Sequence, residues 1–246
     1  MKNSKRNSKK ESTPLARRNQ EVYYSQPKLT GKTPEQQRYI NSIYEFNFVV
    51  AEGDAGTGKT FPPSVIALDM LLNPKYPVEK VVLVRPNVEL GDPVGFLKGD
   101  LYEKMKPWMV PFMDGFEYRL DNNAIRNLVN SERIEFVPPA YLRGRTWNNC
   151  FVIVDEAQNL KYDAMKCLLR RIGQDCKIAV CADLDQCDLK NTNSSGMHLL
   201  YNIDNLAREK DVATPYSWHI LEGSVRSETC EWFGSMIKEV ELNAGS

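Results

Sequence analysis

One eight-residue segment of the chain has the composition of a phosphate-binding loop. It reads Gly53-Asp54-Ala55-Gly56-Thr57-Gly58-Lys59-Thr60, which matches G-x-x-x-x-G-K-[ST] at each fixed position, and it follows an apolar run. Because glycine has no Cβ, backbone N–H groups of such a loop can turn toward phosphate oxygens, and the next helix directs its positive end at the same anion. Lys59 is expected to reach the terminal phosphates and the Thr60 hydroxyl to ligate Mg²⁺. The segment therefore predicts a site for a nucleoside triphosphate and Mg²⁺.

Two adjacent carboxylates follow a second apolar run. Asp155 and Glu156 come directly after Phe151-Val152-Ile153-Val154, which has the length of a buried strand. At the carboxyl end of a strand, Asp155 can hold Mg²⁺ through water, while Glu156 can orient the attacking water and take its proton. The alternative is a helix N-cap followed by an acidic residue in the first turn. Combined with the phosphate loop, the pair favours a hydrolase over a kinase, since a kinase needs no carboxylate aimed at water.

A third polar segment follows another apolar run. Ala182-Asp183-Leu184-Asp185-Gln186 would place the Gln186 amide at the carboxyl edge of a sheet, where it can contact the γ-phosphate or the attacking water. An ordinary polar turn is the alternative, because such residues often follow strands.

Strand and helix patterns alternate along the chain. Thr33, Pro34 and Gln36 have the pattern of an N-cap, a first helical position and a capping box. Near-continuous apolar runs predict buried parallel strands at 46–51, 80–85, 133–137, 150–154, 177–181 and 218–221. Helical patterns cover 59–72, 100–113, 162–172 and 227–239, and 86–131 has the pattern of a mixed helical insertion over the carboxyl edge of the sheet. The predicted fold class is α/β, with a mostly parallel sheet covered by helices on both faces.

Two predicted strands, 80–85 and 133–137, lie between the two motifs in sequence. They leave room for an extra strand between the phosphate-loop strand and the Asp155 strand, which is the arrangement of RecA-like ATPases.

Length and charge indicate one domain behind a basic arm. At 246 residues the chain is too short for two nucleotide-binding folds of about 150–200 residues each. We therefore assign one domain to 33–246. Residues 1–32 carry nine Lys or Arg and two Glu, a net charge of 9 − 2 = +7, which predicts a disordered tail. The tail either contacts nucleic-acid phosphates or an acidic partner, or only solubilises the terminus.

Other composition features exclude several classes of site. No secretory signal pattern or membrane-length apolar run occurs, which predicts a soluble, cytoplasmic protein without membrane contact. Six cysteines without a C-x-x-C pair and only two histidines argue for reduced thiols and against a zinc site.

In order along the chain, the motifs resemble those of the PhoH-like family. The resemblance covers about residues 30 to 240 and depends on the segments 33–39, 53–60, 84–89, 95–104, 141–146, 155–159 and 182–186. It implies a single RecA-like P-loop NTPase core similar to superfamily 1 helicases, ATP and Mg²⁺ as cofactors, and a homo-oligomer in the form of a hexameric ring. By the same resemblance, Gln36 reads adenine, Gln186 senses the γ-phosphate and Arg226 is the arginine near the end of the family core. Ala182, where the family has Gly, and Pro62-Pro63 after the loop depart from its pattern.

Three arginines are candidates for contact with nucleic acid. Arg85, Arg143 and Arg145 lie just beyond predicted strand ends, at the edge where parallel-sheet proteins bind ligands. A guanidinium binds phosphate oxygens through a fixed fork, so these residues suit a nucleic-acid backbone, or one can act as an arginine finger on a neighbouring subunit's nucleotide. Salt bridges to Glu89 or Asp100 are the alternative.

The residues and the resemblance together predict a Mg²⁺-dependent ATPase that acts on single-stranded nucleic acid, RNA rather than DNA, with helicase-like activity as a further candidate. A translocating helicase needs two RecA-like surfaces, so one core per chain predicts that a neighbouring subunit supplies the second. Two alternatives stay open: an ATP-dependent regulatory or assembly protein without motor activity, and an ATPase coupled to a nuclease on a separate protein.

Overall fold

The computed structural model of the chain describes residues 27–86, 100–223 and 228–244. Arg226, the segments 87–89 and 95–99, and most of the predicted tail lie outside these ranges. The last residues of that tail contact the domain: Leu29 is buried in the core, and the Pro27 carbonyl accepts a hydrogen bond from Arg119 Nη1 at 2.7 Å. The folded domain therefore begins before residue 33.

Six parallel strands form one sheet. In chain order they are β1 (Phe48–Gly53), β2 (Lys80–Val84), β3 (Ile134–Phe136), β4 (Cys150–Val154), β5 (Lys177–Ala182) and β6 (Tyr216–Leu221). Their order across the sheet is β3-β2-β4-β5-β1-β6, and every pairing is parallel. The parallel sheet predicted from the apolar runs is confirmed.

One strand, β5, lies between the phosphate-loop strand β1 and the Asp155 strand β4. An inserted strand is the arrangement expected for a RecA-like core, but its predicted source was wrong. Strands β2 and β3 lie on the far side of β4, and the inserted strand comes from the sequence after Asp155. Because β5 carries the third polar segment, all three polar segments follow neighbouring strands.

The described residues contain seven α-helices. They are α1 (Pro34–Glu45), α2 (Phe61–Leu72), α3 (Leu101–Glu117), α4 (Asn122–Asn130), α5 (Tyr162–Leu169), α6 (Gly196–Glu209) and α7 (Glu228–Ala244). Helices α1 to α4 pack on one face of the sheet, and α5 and α6 pack on the other. Each face of the sheet carries its own hydrophobic core, and successive strand residues alternate between the two. In β2, Val81 and Leu83 pack in the core on the α1 to α4 side, and Val82 and Val84 pack in the core on the α5 and α6 side. The predicted cover on both faces is confirmed.

Short polar side chains set several helix starts. Thr33, Asp100 and Asp121 each accept a hydrogen bond from a backbone N–H of the first turn of α1, α3 and α4. Pro62 and Pro63 lie in the first turn of α2, where backbone N–H groups lack helical partners, so both prolines fit there without breaking the helix.

The helix boundaries differ from the sequence patterns in several places. Helix α2 begins two residues later than predicted, α3 ends at Glu117 rather than at 113, α5 ends at Leu169 rather than at 172, and α7 ends at Ala244 rather than at 239. Helix α4 lies within the predicted mixed helical region 86–131, and α6 was not predicted. Helix α5 stops early because the next residues bond back to the segment before β4: Gly173 N donates to Trp147 O at 2.9 Å. No helix in the described ranges is long and apolar enough to cross a bilayer.

Candidate active site

The segment 53–60 forms the turn between β1 and α2. Gly56 and Gly58 have φ values of 87° and 88°, a left-handed conformation that side chains with a Cβ rarely adopt. The backbone of the turn therefore favours glycine both at Gly58, a fixed position of the motif, and at Gly56, a variable one. The turn lies at the carboxyl end of the sheet, where open α/β sheets bind their ligands.

The Lys59 ammonium folds back over the turn. Its Nζ donates to the carbonyls of Gly53 and Asp54, the latter at 2.6 Å, and it lies 3.6 Å from Asp183 Oδ2. Burial raises the pKa of Asp183, and Lys59 opposes this rise. An arriving triphosphate would exchange the carbonyl contacts of Lys59 for phosphate oxygens.

Thr60 and Asp155 meet although they are far apart in sequence. Thr60 Oγ1 donates to Asp155 Oδ1 at 2.7 Å, across the space between the phosphate loop and the end of β4. Asp155 is 5 % exposed; burial raises the pKa of its carboxyl, and the hydrogen bond from Thr60 opposes that rise. A divalent cation beside this carboxylate would favour the charged form.

The donor set at this point fits Mg²⁺. Mg²⁺ prefers oxygen ligands, and in sites of this kind it is bound by one or two protein groups, with phosphates and water completing the shell. The hydroxyl of Thr60 and the carboxylate of Asp155 supply such oxygens. No group of three or more His, Cys, Asp or Glu within the described residues could hold a metal by itself.

Glu156 is held by two donors next to Asp155. Gln158 Nε2 donates to Glu156 Oε2 at 2.6 Å, and Arg85 Nη2 lies 3.6 Å from Glu156 Oε1. Arg85 also contacts Asp155, with Nε 3.4 Å from Oδ2. Of the three candidate arginines, Arg85 thus lies at the sheet edge as predicted, and it pairs with Asp155 and Glu156. Glu89 lies outside the described ranges, and Asp100 pairs with Arg126.

Gln158 joins the ends of β4 and β5 and was not singled out from the sequence. Its side chain is fully buried, its Oε1 accepts from Asp183 N at 3.0 Å, and its Nε2 also lies 3.3 Å from Gln186 O. The Ser195 hydroxyl donates to its backbone carbonyl at 2.7 Å. An amide two residues after the candidate carboxylate Glu156 was the available signal, but its partners depend on β5 lying beside β4.

Gln186 is linked to Lys59 by the carboxylate of Asp183, which contacts both side chains. Gln186 Nε2 donates to Asp183 Oδ2 at 2.8 Å, and the same carboxylate oxygen faces Lys59. This places the Gln186 amide one residue away from the ammonium that would bind the terminal phosphates. Its role as a γ-phosphate sensor stays a prediction.

Gln36 lies behind the loop with both ends of its amide engaged. Its Nε2 donates to Thr57 O at 2.7 Å, and its Oε1 accepts from Lys32 N at 2.9 Å. In a capping box the donor would be the backbone N–H of the N-cap residue Thr33, so the observed donor lies one residue earlier. Tyr39 OH donates to Lys59 O at 2.9 Å from the same helix. Helix α1 therefore braces the phosphate loop, and the reading of adenine by Gln36 stays a prediction.

The other two candidate arginines lie away from the carboxyl edge. Arg145 Nη1 is 2.5 Å from Glu135 Oε1, and Glu135 is the middle residue of β3, paired with Val82. Arg143 is exposed and lines a pocket beside α5. Their predicted placement at the edge was wrong because the segment between β3 and β4 runs back along the face that α5 covers. Arg226 lies outside the described residues.

Comparison with solved structures finds remote similarities. The Pif1 helicase from Candida albicans matches with a TM-score of 0.42 and 15 % identity, over 85 % of this chain and 44 % of that chain. The HK97 bacteriophage large terminase matches with a TM-score of 0.46 and 13 % identity, over 86 % of this chain and 45 % of that chain. Similarity at this level does not bear on function.

Sequence relatives are much closer. A PhoH-like protein of Synechocystis sp. (strain PCC 6803) is 38 % identical over 209 residues, covering 81 % of this chain and 63 % of its own length. A PhoH-like protein of Bacillus subtilis is 37 % identical over 180 residues (72 % and 56 %), and Protein PhoH of Escherichia coli K12 is 32 % identical over 206 residues (82 % and 56 %). The chain thus spans between half and two thirds of the length of these relatives. The family model described as PhoH-like protein matches residues 28–237. On the match to that model and these identities, the chain belongs to the PhoH-like protein family.

Proposed function

We propose that this chain is a Mg²⁺-dependent ATPase that acts on single-stranded nucleic acid, RNA rather than DNA, as a homo-oligomeric ring. The observation that carries the hydrolase part is the contact of Thr60 with Asp155 at 2.7 Å, with Glu156 beside it. The family and the P-loop fold support nucleotide binding by the same groups.

Each side chain has a defined task in the proposed reaction. The loop N–H groups and Lys59 bind the β- and γ-phosphates, and Thr60 and Asp155 hold the cation. When bound, Mg²⁺ neutralises charge on the phosphate oxygens. Glu156 orients a water and accepts its proton as the water oxygen bonds to the γ-phosphorus and the bond from that phosphorus to the bridging oxygen breaks. Arg85 and Gln158, which hold the Glu156 carboxylate, must leave one of its oxygens free for this proton.

The proposed nucleic-acid partner rests on the family resemblance and on the charge of the N-terminal segment. The family resemblance favours RNA, and the +7 charge of residues 1–32 suits a phosphate backbone. The resemblance also favours a hexameric ring, in which a neighbouring subunit would supply the second surface around ATP. An ATP-dependent regulatory or assembly protein without motor activity is the second candidate, because it needs the same nucleotide site.

Replacing Glu156 by Gln tests the hydrolase. Loss of a general base costs about 10²–10⁴ in rate, so we expect Glu156→Gln to lower ATP turnover by at least about 10²-fold while an ATP analogue still binds. The exposed Glu209, at the end of α6, offers a matched control, and Glu209→Gln should leave turnover unchanged. Turnover of Glu156→Gln equal to wild type would remove Glu156 from the mechanism.

ATP turnover measured with single-stranded RNA, with single-stranded DNA and without nucleic acid separates the two candidate functions. Stimulation of turnover by RNA above that by DNA supports the proposal, and salt should weaken the stimulation. If RNA stimulates turnover at none of the salt concentrations, the regulatory or assembly protein is favoured.

A further inference from the structure

A pocket of about 430 Å³ lies beside α5, on the opposite face of the sheet from α1 to α4. It is lined by Arg143, Asp163, Lys166, Cys167, Arg170 and Arg171. Four cationic groups and one carboxylate give it a local charge of 4 − 1 = +3. Arg143 comes from the segment before β4, and the other five residues come from α5 and the turn after it.

The arginines of this pocket differ from most other arginines in the described residues. Arg38, Arg85, Arg119, Arg126, Arg145 and Arg208 each pair with a carboxylate. In the same part of the chain, Arg143, Arg170 and Arg171 form no such ion pair. The negative end of the α5 dipole suits Lys166 and Arg170. It does not explain why Arg143 converges on them from another segment, whereas a bound anion would.

Hydrogen bonds join the segment before β4 to the turn after α5, which form the two walls of the pocket. Arg171 Nη1 donates to Arg145 O at 3.2 Å, and Trp147 N donates to Arg171 O at 2.9 Å. Trp147 is 4 % exposed in the core, and Gly173 approaches it so closely that an added Cβ would lie 2.7 Å from Trp147 O. The cationic groups are therefore presented by a preformed frame, which reduces the ordering cost of binding.

We propose that this pocket binds the phosphodiester backbone of single-stranded nucleic acid, a site that rests on the proposed function and lies away from the carboxyl edge of the sheet. Guanidinium groups bind phosphate oxygens bidentately, and three arginines line one open pocket. Tyr141, two residues before Arg143, is 60 % exposed and offers a ring on which a base can stack. The pocket also lies close in sequence to the catalytic base, because α5 begins six residues after Glu156.

Charge reversal in the pocket tests the site. We would measure binding of a fluorescent single-stranded RNA oligonucleotide to the Lys166→Glu/Arg170→Glu double variant by anisotropy at several salt concentrations. We expect at least about tenfold weaker binding and a salt dependence reduced by about 1.4 in the logarithmic slope, since each phosphate contact on a single strand contributes about 0.7. Lys106→Glu, an exposed cation on α3 across the sheet, is the control and should bind as wild type does. Thermal unfolding of each variant shows whether it is folded.

Cys167 provides a second measurement that needs no substitution. Its thiol is free and partly exposed in the pocket, and the free, partly exposed Cys187 serves as a reference. Bound RNA should slow maleimide labelling of Cys167, read by mass spectrometry of its peptide, and should leave Cys187 labelling unchanged. Equal protection of Cys167 by inorganic phosphate would mean a small-anion site and overturn the proposal.

The outcomes separate this inference from the proposed function. If wild type binds RNA and the double variant binds equally, the pocket assignment is wrong while the proposed function stands. If wild type binds no single-stranded nucleic acid, both the pocket assignment and the nucleic-acid part of the proposed function are wrong. The Glu156 test of hydrolysis is unaffected by that result.

Discussion

Glu156 has a backbone conformation that few residues other than glycine adopt. Its φ and ψ are 53° and 40°, in the left-handed region, and its carboxylate lies between the Gln158 amide and Arg85. Unfavourable conformations of this kind concentrate at functional sites, where neighbouring contacts hold them. At the scale of single residues, the position of the proposed catalytic base thus depends on Gln158 as much as on its own motif.

Gln158→Ala should affect both stability and turnover. The substitution leaves Asp183 N and the Glu156 carboxylate without the partners that Gln158 supplies inside the protein. Leaving buried polar groups unpaired costs about 1–3 kcal/mol, and a mobile Glu156 should lower ATP turnover as well. Urea unfolding and a turnover assay measure the two effects. The exposed Gln174 is the control, and a Gln158→Ala variant as stable and active as Gln174→Ala would contradict the bridging role.

At the scale of elements, the sequence predicts what is encoded locally. The phosphate loop, the N-cap at Thr33 and the apolar strands depend on neighbouring residues. The loop and the N-cap lie where the patterns placed them, and each predicted strand is present with its ends shifted by at most two residues. The strand order does not depend on neighbouring residues, because the strand that separates β1 from β4 is β5, which follows Asp155 in the chain. The partners of Gln158 and Arg145 follow from that order and from the path of the segment before β4, so local patterns could not predict them.

The end of β1 carries a buried carboxylate whose charge is unfavourable. Glu52, directly before the phosphate loop, is 6 % exposed; it accepts a hydrogen bond from Tyr201 OH, while its Oε1 has no partner among the described groups. Burial raises the pKa of Glu52 above its ordinary value of 4.5, and contacts with Tyr201 and Trp218 oppose the rise. The folded state thus binds this proton more tightly than the unfolded state. Stability is therefore lost as pH rises from 4.5 through the higher folded-state pKa.

Glu52→Gln should stabilise the protein at neutral pH. The amide has the same shape without the charge, so the gain should be present at pH 7 and vanish below pH 4.5, where the unfolded carboxyl is also protonated. Each unit of difference in pKa corresponds to about 1.4 kcal/mol. Free energies of unfolding across this pH range measure the effect, with the exposed Glu132→Gln as the control. A destabilised Glu52→Gln at pH 7 would show that the charge is needed.

At the scale of the whole molecule, charge and site geometry point to partners. The chain has a net charge of zero, yet residues 1–32 carry +7 and the remainder therefore −7. In the described residues the active site draws on a single core, with Lys59, Thr60, Asp155 and Glu156 all on one sheet edge. If a second surface closes over the nucleotide, as the proposed helicase-like activity requires, the proposed ring would provide it from a neighbouring subunit.

Mass in solution tests that ring directly. A hexamer of this 28.1 kDa chain would have a mass of 6 × 28.1 = 168.6 kDa. If subunits close over ATP, nucleotide binding stabilises the assembled state by mass action, so light scattering should show a mass near this value with ATP. Single-stranded RNA should stabilise it further, because a strand that contacts several subunits links them. Glu156→Gln, which should hold ATP without hydrolysing it, keeps the nucleotide state constant during the measurement. A 28.1 kDa monomer under every condition would exclude a ring of this chain and favour the regulatory candidate, since an isolated core cannot translocate on a strand.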